Sequence, residues 1–174
     1  MKIYRPPHIY MDDQWYFLTA SVLNHRPILR PRQHKLCLRD YLRNLVIEYD
    51  FRFKAWVILD DHYHLLLRIR LGRDLGRFFG RLHASTSKQF NIWDQTPGRQ
   101  VWYNYWDTCI RNERDLWTHF NYAHYNPVKH GYVLHPTDWE FSSYHYYLRT
   151  KGEEWLASCW EQYPIVEAVL EDDS

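Results

Sequence analysis

Two stretches rich in β-forming residues, 52–59 and 62–70, are separated only by Asp60-Asp61. A connection that short cannot cross over a sheet, so the two strands are antiparallel neighbours in a hairpin. The second strand begins Asp61-His62-Tyr63-His64-Leu65-Leu66-Leu67. Alternate side chains of a strand share a face, which puts His62 and His64 on one side and Tyr63, Leu65 and Leu67 on the other. Two imidazoles roughly 6–7 Å apart along a strand can share one metal ion. In a chain with 11 His, the same pair also fits two satisfied histidines on a half-buried strand.

The hairpin sits inside an alternating pattern. Residues 15–23 are β-rich and end at Asn24-His25-Arg26-Pro27. Residues 32–49 carry Leu38, Leu42, Leu45 and Tyr49 on one helical stripe, with Arg39 and Arg43 off it in solvent. After the hairpin, residues 74–92 form a second helix with Leu75, Phe78, Phe79, Leu82 and Phe90 on its apolar face. Thr96-Pro97-Gly98 is a loop, and residues 101–110 an aromatic extended segment. Asn112 caps a third helix, with Glu113 and Asp115 in its first turn and a core stripe of Leu116, Phe120 and Ala123. Pro127 disfavours the α conformation at Asn126, which predicts that the helix stops there. A short helix is expected over 142–147, and the tail holds enough apolar residues for one docking helix. The order β-α-β-β-α-β-α predicts an α+β fold of the ferredoxin-like, split βαβ type. It has one antiparallel sheet with helices and an extra C-terminal helix. One face of the sheet is then left for another helix or for nucleic acid.

A chain of 174 residues has room for one domain with a real core, and 45% apolar residues exclude a disordered protein. No apolar run approaches the ~18 residues needed to span a bilayer. The start, Met1-Lys2-Ile3-Tyr4-Arg5-Pro6-Pro7-His8, lacks the apolar region of a signal peptide. The expectation is a cytoplasmic protein with no membrane partner. Cys37, Cys109 and Cys159 are far apart, which argues against a zinc knuckle or a redox pair and for reduced thiols.

The net charge of +1 conceals an asymmetry. All 22 Lys and Arg precede residue 153, while residues 153–174 hold 7 acids. A domain over 1–152 with an acidic tail over 153–174 suits a polyanionic partner, or simply a solvated tail. Arg73, Arg77 and Arg81 are spaced by four and predict a basic stripe. Lys88, Arg5 and Lys129 are further candidates for phosphate contact, and Tyr103 and Tyr105 for stacking on unpaired bases. For Trp102 and Trp106, core packing is the stronger expectation.

Tyr122 and Asn126 lie one helical turn apart, with His119 on the same side and the core stripe offset from them. A helix laid across the sheet would bring a phenol beside a metal held by two imidazoles and an amide oxygen. A tyrosine can attack phosphorus covalently while a cation binds the non-bridging oxygens. By spacing alone Tyr122 is equally one of 15 tyrosines anchoring a helix.

Asp61-His62-Tyr63-His64-Leu65-Leu66-Leu67 is followed about 60 residues on by Tyr122-Ala123-His124-Tyr125-Asn126-Pro127-Val128-Lys129-His130-Gly131. Trp56-Val57-Ile58-Leu59, Trp106-Asp107 and Asp138-Trp139-Glu140-Phe141-Ser142-Ser143-Tyr144 complete the pattern. In this order the motifs resemble the REP-associated tyrosine transposases, relatives of the single-tyrosine transposases within the HUH nuclease class. The resemblance covers roughly residues 10–148. It implies that His62 and His64 bind a divalent ion, Mg²⁺ or Mn²⁺, and that Asn126 is the third ligand. It further implies that Tyr122 joins a DNA 5′ phosphate and leaves a 3′ hydroxyl. The implied substrate is single-stranded DNA with a hairpin, a REP-like palindrome, which would hold the protein at the nucleoid. The protein would act as a monomer or a homodimer. Two departures stand out: Tyr63 between the histidines is usually aliphatic, and Asp61, with Asp60, stands where it could tune or compete for the ion.

Two other functions fit parts of the pattern. One is a ferredoxin-like single-stranded nucleic-acid binding module without catalysis. The other, weaker, is a metal-dependent hydrolase of small phosphoesters. A binding module needs none of His62, His64 and Tyr122, and a small-molecule hydrolase does not need the arginine stripe.

Overall fold

The computed structural model describes residues 10–166 and 169. Among these the elements run β1 (Gln14–Val22), α1 (Arg32–Glu48), β2 (Arg52–Ile58), β3 (His62–Ile69), α2 (Leu75–Trp93), β4 (Trp102–Cys109), α3 (Glu113–Lys129), α4 (Tyr144–Lys151) and α5 (Glu153–Gln162). The four strands form one antiparallel sheet in the order β2-β3-β1-β4. This is the ferredoxin-like split βαβ arrangement that the pattern predicts. The β2–β3 hairpin closes with Leu59 N–H donating to the His62 carbonyl at 2.9 Å.

Alternation along the strands divides the interior in two. Tyr16, Leu18, Ala20 and Val22 of β1 and Tyr63, Leu65, Leu67 and Ile69 of β3 face α1 and α2. There they meet Leu38, Leu42 and Leu45 of α1 and Leu75, Phe78, Phe79, Leu82 and Phe90 of α2, all buried. Phe17 of β1, Ala55 and Val57 of β2 and Leu66 of β3 face the other way, onto α3 and α5. Tyr63 is fully buried in the first layer, so the ring between the two histidines is a core side chain.

Pro127 does not end α3. The helix continues to Lys129 with the proline inside it. It ends at Gly131, whose φ is +70°. Tyr132 N–H donates to the Pro127 carbonyl (2.9 Å) and Gly131 N–H to the Val128 carbonyl (2.9 Å). That pair of bonds around a left-handed glycine is a Schellman cap. It satisfies the terminal carbonyls, which offsets the one hydrogen bond lost at the proline.

The last short helix runs to Lys151 rather than 147. The docking helix of the tail forms over Glu153–Gln162. Leu156 and Cys159 are buried against α3, and the Asn121 amide donates to the Cys159 and Tyr163 carbonyls (3.0 and 2.8 Å). Of the apolar tail residues beyond α5, Val169 is buried in the second core, Ile165 packs against it and Val166 is exposed, while Leu170 and residues 1–9 lie outside the described residues. Cys37, Cys109 and Cys159 are free thiols. No helix among the described residues is long and apolar enough to cross a membrane.

Candidate active site

The α3 face of the sheet has a polar centre. His64 pairs in register with Thr19 on β1 and Val57 on β2, and His62 with Ser21. The His62 and His64 rings lie 5.0 Å apart, centroid to centroid, at 81°. α3 crosses above them. It brings Asn126 Oδ1 to 3.4 Å from His62 Nε2 and the Tyr122 ring to 5.8 Å from the His64 ring. All four residues are buried, Tyr122, His64 and Asn126 completely. Phe17 stacks on His64 at 5.2 Å and touches both Tyr122 (5.8 Å) and His119 (4.8 Å).

One expectation is corrected by this geometry. Tyr122 does not stand apart from the core stripe of its helix. It is a member of the second core with Phe120 and Ala123. The sheet covers α3 on one side and α5 on the other, so most of its circumference is interior.

Each imidazole is oriented by a partner on Nδ1. The His64 Nδ1 is hydrogen bonded to the Thr19 hydroxyl at 2.8 Å. The His62 Nδ1 donates to Asp61 Oδ1 at 2.7 Å. With Nδ1 engaged, Nε2 is the nitrogen that a metal would take on both rings. Burial pushes the Asp61 carboxyl up, but its contacts with His62 and His25 outweigh that and hold it below the ordinary carboxylate value. Asp60 is occupied elsewhere, by the buried Lys35 ammonium at 2.6 Å and by Arg30 at 3.1 Å. It is therefore a structural ion pair rather than a competing ligand. Asp61 is the orienting residue.

The donor set fits a hard divalent ion. Ligands bonded at about 2.1 Å in octahedral geometry stand roughly 3 Å apart along an edge. The His62 Nε2 to Asn126 Oδ1 separation is close to that and long for a hydrogen bond. Imidazole, imidazole and amide oxygen leave positions for phosphate oxygens. No cluster of three His, Cys, Asp or Glu forms an alternative metal site among the described residues.

Lys129, expected on phosphates, has its Nζ 2.8 Å from the Tyr122 hydroxyl, to which it donates, and 5.0 Å from the ring centre. The stripe residues Arg73, Arg77 and Arg81, and Lys88 after them, are exposed along the start and outer face of α2. Arg81 is ion paired with Glu48 and lies over the Tyr49 ring. Arg5 lies outside the described residues. Of the aromatic candidates on β4, Tyr103 is exposed, as expected, while Tyr105 stacks on Phe79 at 3.9 Å. Trp102 is buried, and Trp106, expected in the core, is 47% exposed beside Tyr103.

This chain is 31% identical over 143 residues to the REP-associated tyrosine transposase of Escherichia coli (strain K12). The match covers 78% of this chain and 79% of that protein. The chain belongs to the REP-associated tyrosine transposases. A relative from Haemophilus influenzae carrying the same family name is 35% identical over 119 residues, 62% of this chain and 68% of that one. A solved structure of a REP-associated tyrosine transposase bound to a REP hairpin superposes with a TM-score of 0.69. It is 29% identical and covers 88% of each chain. No family model matches the chain.

In this REP-associated tyrosine transposase, motif reading misses Thr19 and His130 beside the two histidines, and it assigns Lys129 to phosphates rather than to the Tyr122 hydroxyl. Thr19 becomes visible only from the β1–β3 register. Lys129 and His130 require α3 to continue past Pro127. His130 caps the helix one turn after Asn126, with its ring 4.9 Å from that of His62. The spacing Tyr122, Asn126, His130 is the signal that could have found it.

Proposed function

We propose that this protein nicks and rejoins single-stranded DNA at REP-like hairpins, with Tyr122 as the nucleophile. The observation that carries the reading is the convergence of Tyr122, His62, His64 and Asn126 beneath α3, with the Lys129 ammonium on the phenol oxygen. His62, His64 and Asn126 would hold Mg²⁺ or Mn²⁺. The ion, when bound, supplies charge stabilisation to the phosphate oxygens. Lys129 favours negative charge on the Tyr122 oxygen as its proton leaves. That oxygen attacks phosphorus, the bond to the 3′ oxygen breaks, and the 5′ phosphate remains on the tyrosine. The released 3′ oxygen takes up a proton. A 3′ hydroxyl attacking the phosphotyrosine reverses the step and joins strands.

All four groups come from one chain, which supports a site complete within one protomer. The relative solved with a REP hairpin supports hairpin DNA as the partner. Arg73, Arg77, Arg81 and Lys88 are the proposed phosphate contacts for it. Residues 1–152 are the proposed catalytic unit, with 153–174 as its tail, working where the DNA is, at the nucleoid.

The full burial of Tyr122 favours a second reading, a hairpin-binding module without catalysis. One assay separates the two. Protein incubated with Mg²⁺ or Mn²⁺ and a labelled hairpin oligonucleotide should form an adduct that survives denaturing electrophoresis. Tyr122→Phe should abolish the adduct, by a factor of about 10³ or more, while hairpin affinity persists. An adduct in the Phe variant removes Tyr122 from its role. Tight hairpin binding without an adduct in the wild type favours the module.

A further inference from the structure

α3 and α5 enclose a groove that the proposed chemistry does not use. Asn121, His124, Tyr125 and Val128 fall at i, i+3, i+4 and i+7, so they share one side of α3. Glu153, Leu156, Ala157, Trp160 and Glu161 form the matching stripe on α5. Between the two stripes lies a hollow of about 360 Å³, with Leu134 and Pro136 completing its wall. That volume is at the lower end of small-molecule pockets, and like them it is lined mostly by apolar and aromatic groups.

The polar groups of the groove define what it can take. Its charges are all of one sign: Glu153 and Glu161 line it, and no Lys or Arg does. Neither carboxylate is ion paired among the described residues. Glu161 stands in the last turn of α5, where the helix dipole disfavours a negative charge, and that turn holds no basic residue. The helix itself therefore does not account for it. Tyr125 and Trp160 meet across the groove with ring centroids 5.4 Å apart, and Trp160 is 40% exposed. Aromatic faces beside carboxylates are the pattern that binds organic ammonium groups. His124 also lines the groove and is 3% exposed. Its Nε2 is 2.7 Å from Ser143 Oγ, which accepts from Trp56 N–H at 2.9 Å and reaches the Trp56 carbonyl at 3.3 Å. With the hydroxyl assigned to that carbonyl, His124 donates from Nε2 and keeps a lone pair on Nδ1, which no protein group takes up. Phosphate is a poor match for this set, because two carboxylates repel it.

We propose that the α3–α5 groove binds a linear diamine in its doubly protonated form. One ammonium pairs with Glu153 and the other with Glu161, beside the Trp160 ring. Eight residues separate the two glutamates, about 12 Å along the helix axis, so the spacer between the ammonium groups is long. It is also apolar, since it lies over Leu156, Ala157 and Val128. Nothing in this assignment depends on Tyr122 acting as a nucleophile.

The test is calorimetric titration of the full chain with 1,8-diaminooctane at low salt. The controls are n-octylamine with one charge, 1,8-octanediol with none, and 1,3-diaminopropane with both charges on a short spacer. The diamine should bind one to one, with Kd on the order of 1 mM or tighter. Octylamine and diaminopropane should each bind about 5-fold or more weakly, and octanediol more weakly still. Glu161→Gln should bring the octane diamine down to the level of octylamine. The substitution removes a charge that opposes the helix dipole, so the fold is expected to persist, and thermal melts check it. Ala157→Leu, which fills the groove without touching its charge, should abolish binding of both long amines. Diaminopropane binding as well as the octane diamine, or Glu161→Gln without effect, would reduce the interaction to surface counterions and overturn the site. Octanediol binding as tightly as the diamine overturns the ammonium assignment, and no binding by any probe overturns the proposal whole.

Discussion

The two faces of the sheet are made from the same strands and do opposite work. Toward α1 and α2, β1 and β3 present Tyr16, Leu18, Ala20, Tyr63, Leu65 and Leu67, packed on leucine and phenylalanine. Toward α3 they present Thr19, Ser21, His62 and His64 among buried polar groups. Apolar burial is favourable without conditions, whereas a buried polar group costs free energy unless its partners are in place. Placing Thr19, Ser21, His62 and His64 together on one face lets the other hold the strands in register. The two-residue period of a strand is what separates stability from chemistry.

The comparison can be broken by mutation. The largest effect is expected on the polar face. His62→Ala or His64→Ala should each lower adduct formation by roughly 10²-fold or more, as should EDTA on the wild type. Full cleavage in excess chelator would mean that the histidines are only core residues. On the other face, Leu65→Ala should destabilise the protein by about 2–5 kcal/mol, read from urea unfolding. The variant should keep its rate per folded molecule. If it lost cleavage while fully folded, the faces would not be independent.

A smaller change sharpens the comparison. Asp61→Asn leaves shape but weakens the hold on His62 Nδ1, and Mn²⁺ affinity by calorimetry should fall about 10- to 100-fold. Unfolding midpoints that drop instead would assign Asp61 to stability. The smallest effect is a pH slope, and it belongs to the apolar face. His83 of α2 lies against Trp102 and accepts a hydrogen bond from Tyr63 at 2.8 Å. Burial pushes its pKa down from 6.5 to about 3. The unfolded chain therefore binds a proton that the folded one refuses. The stability from neutral His83 is intact above pH 6.5 and is lost as pH falls toward 3, by at most about 1.4 kcal/mol per pH unit. His83→Leu should flatten that limb in unfolding curves taken from pH 7 to 4; an unaltered limb would place the acid sensitivity elsewhere.

Much of this was legible in the chain. The hairpin follows from two residues between strands, and the sidedness of His62 and His64 from the alternation around Tyr63. The stripes of α1 and α2 follow from apolar spacing. The misses share a cause, which is contact between elements distant in sequence. Pro127 read as a stop because local geometry disfavours helix before proline. The Schellman cap at Gly131 and the packing of α3 between sheet and α5 outweigh that, and carry Lys129 to Tyr122. Thr19 needs the strand register. Trp106 reads as core by composition, but β4 is an edge strand with one side open.

The burial of Tyr122 has a consequence for rates. In the proposed reaction a phosphodiester has to reach this buried phenol, which requires a conformer in which it is uncovered. Apparent substrate affinity is then the intrinsic value reduced by that conformer's population, and turnover can be no faster than its opening. Substitutions that loosen the packing of Phe17 over Tyr122 therefore stand to raise single-turnover cleavage while lowering stability. That exchange is available only because the proposed nucleophile doubles as a core side chain.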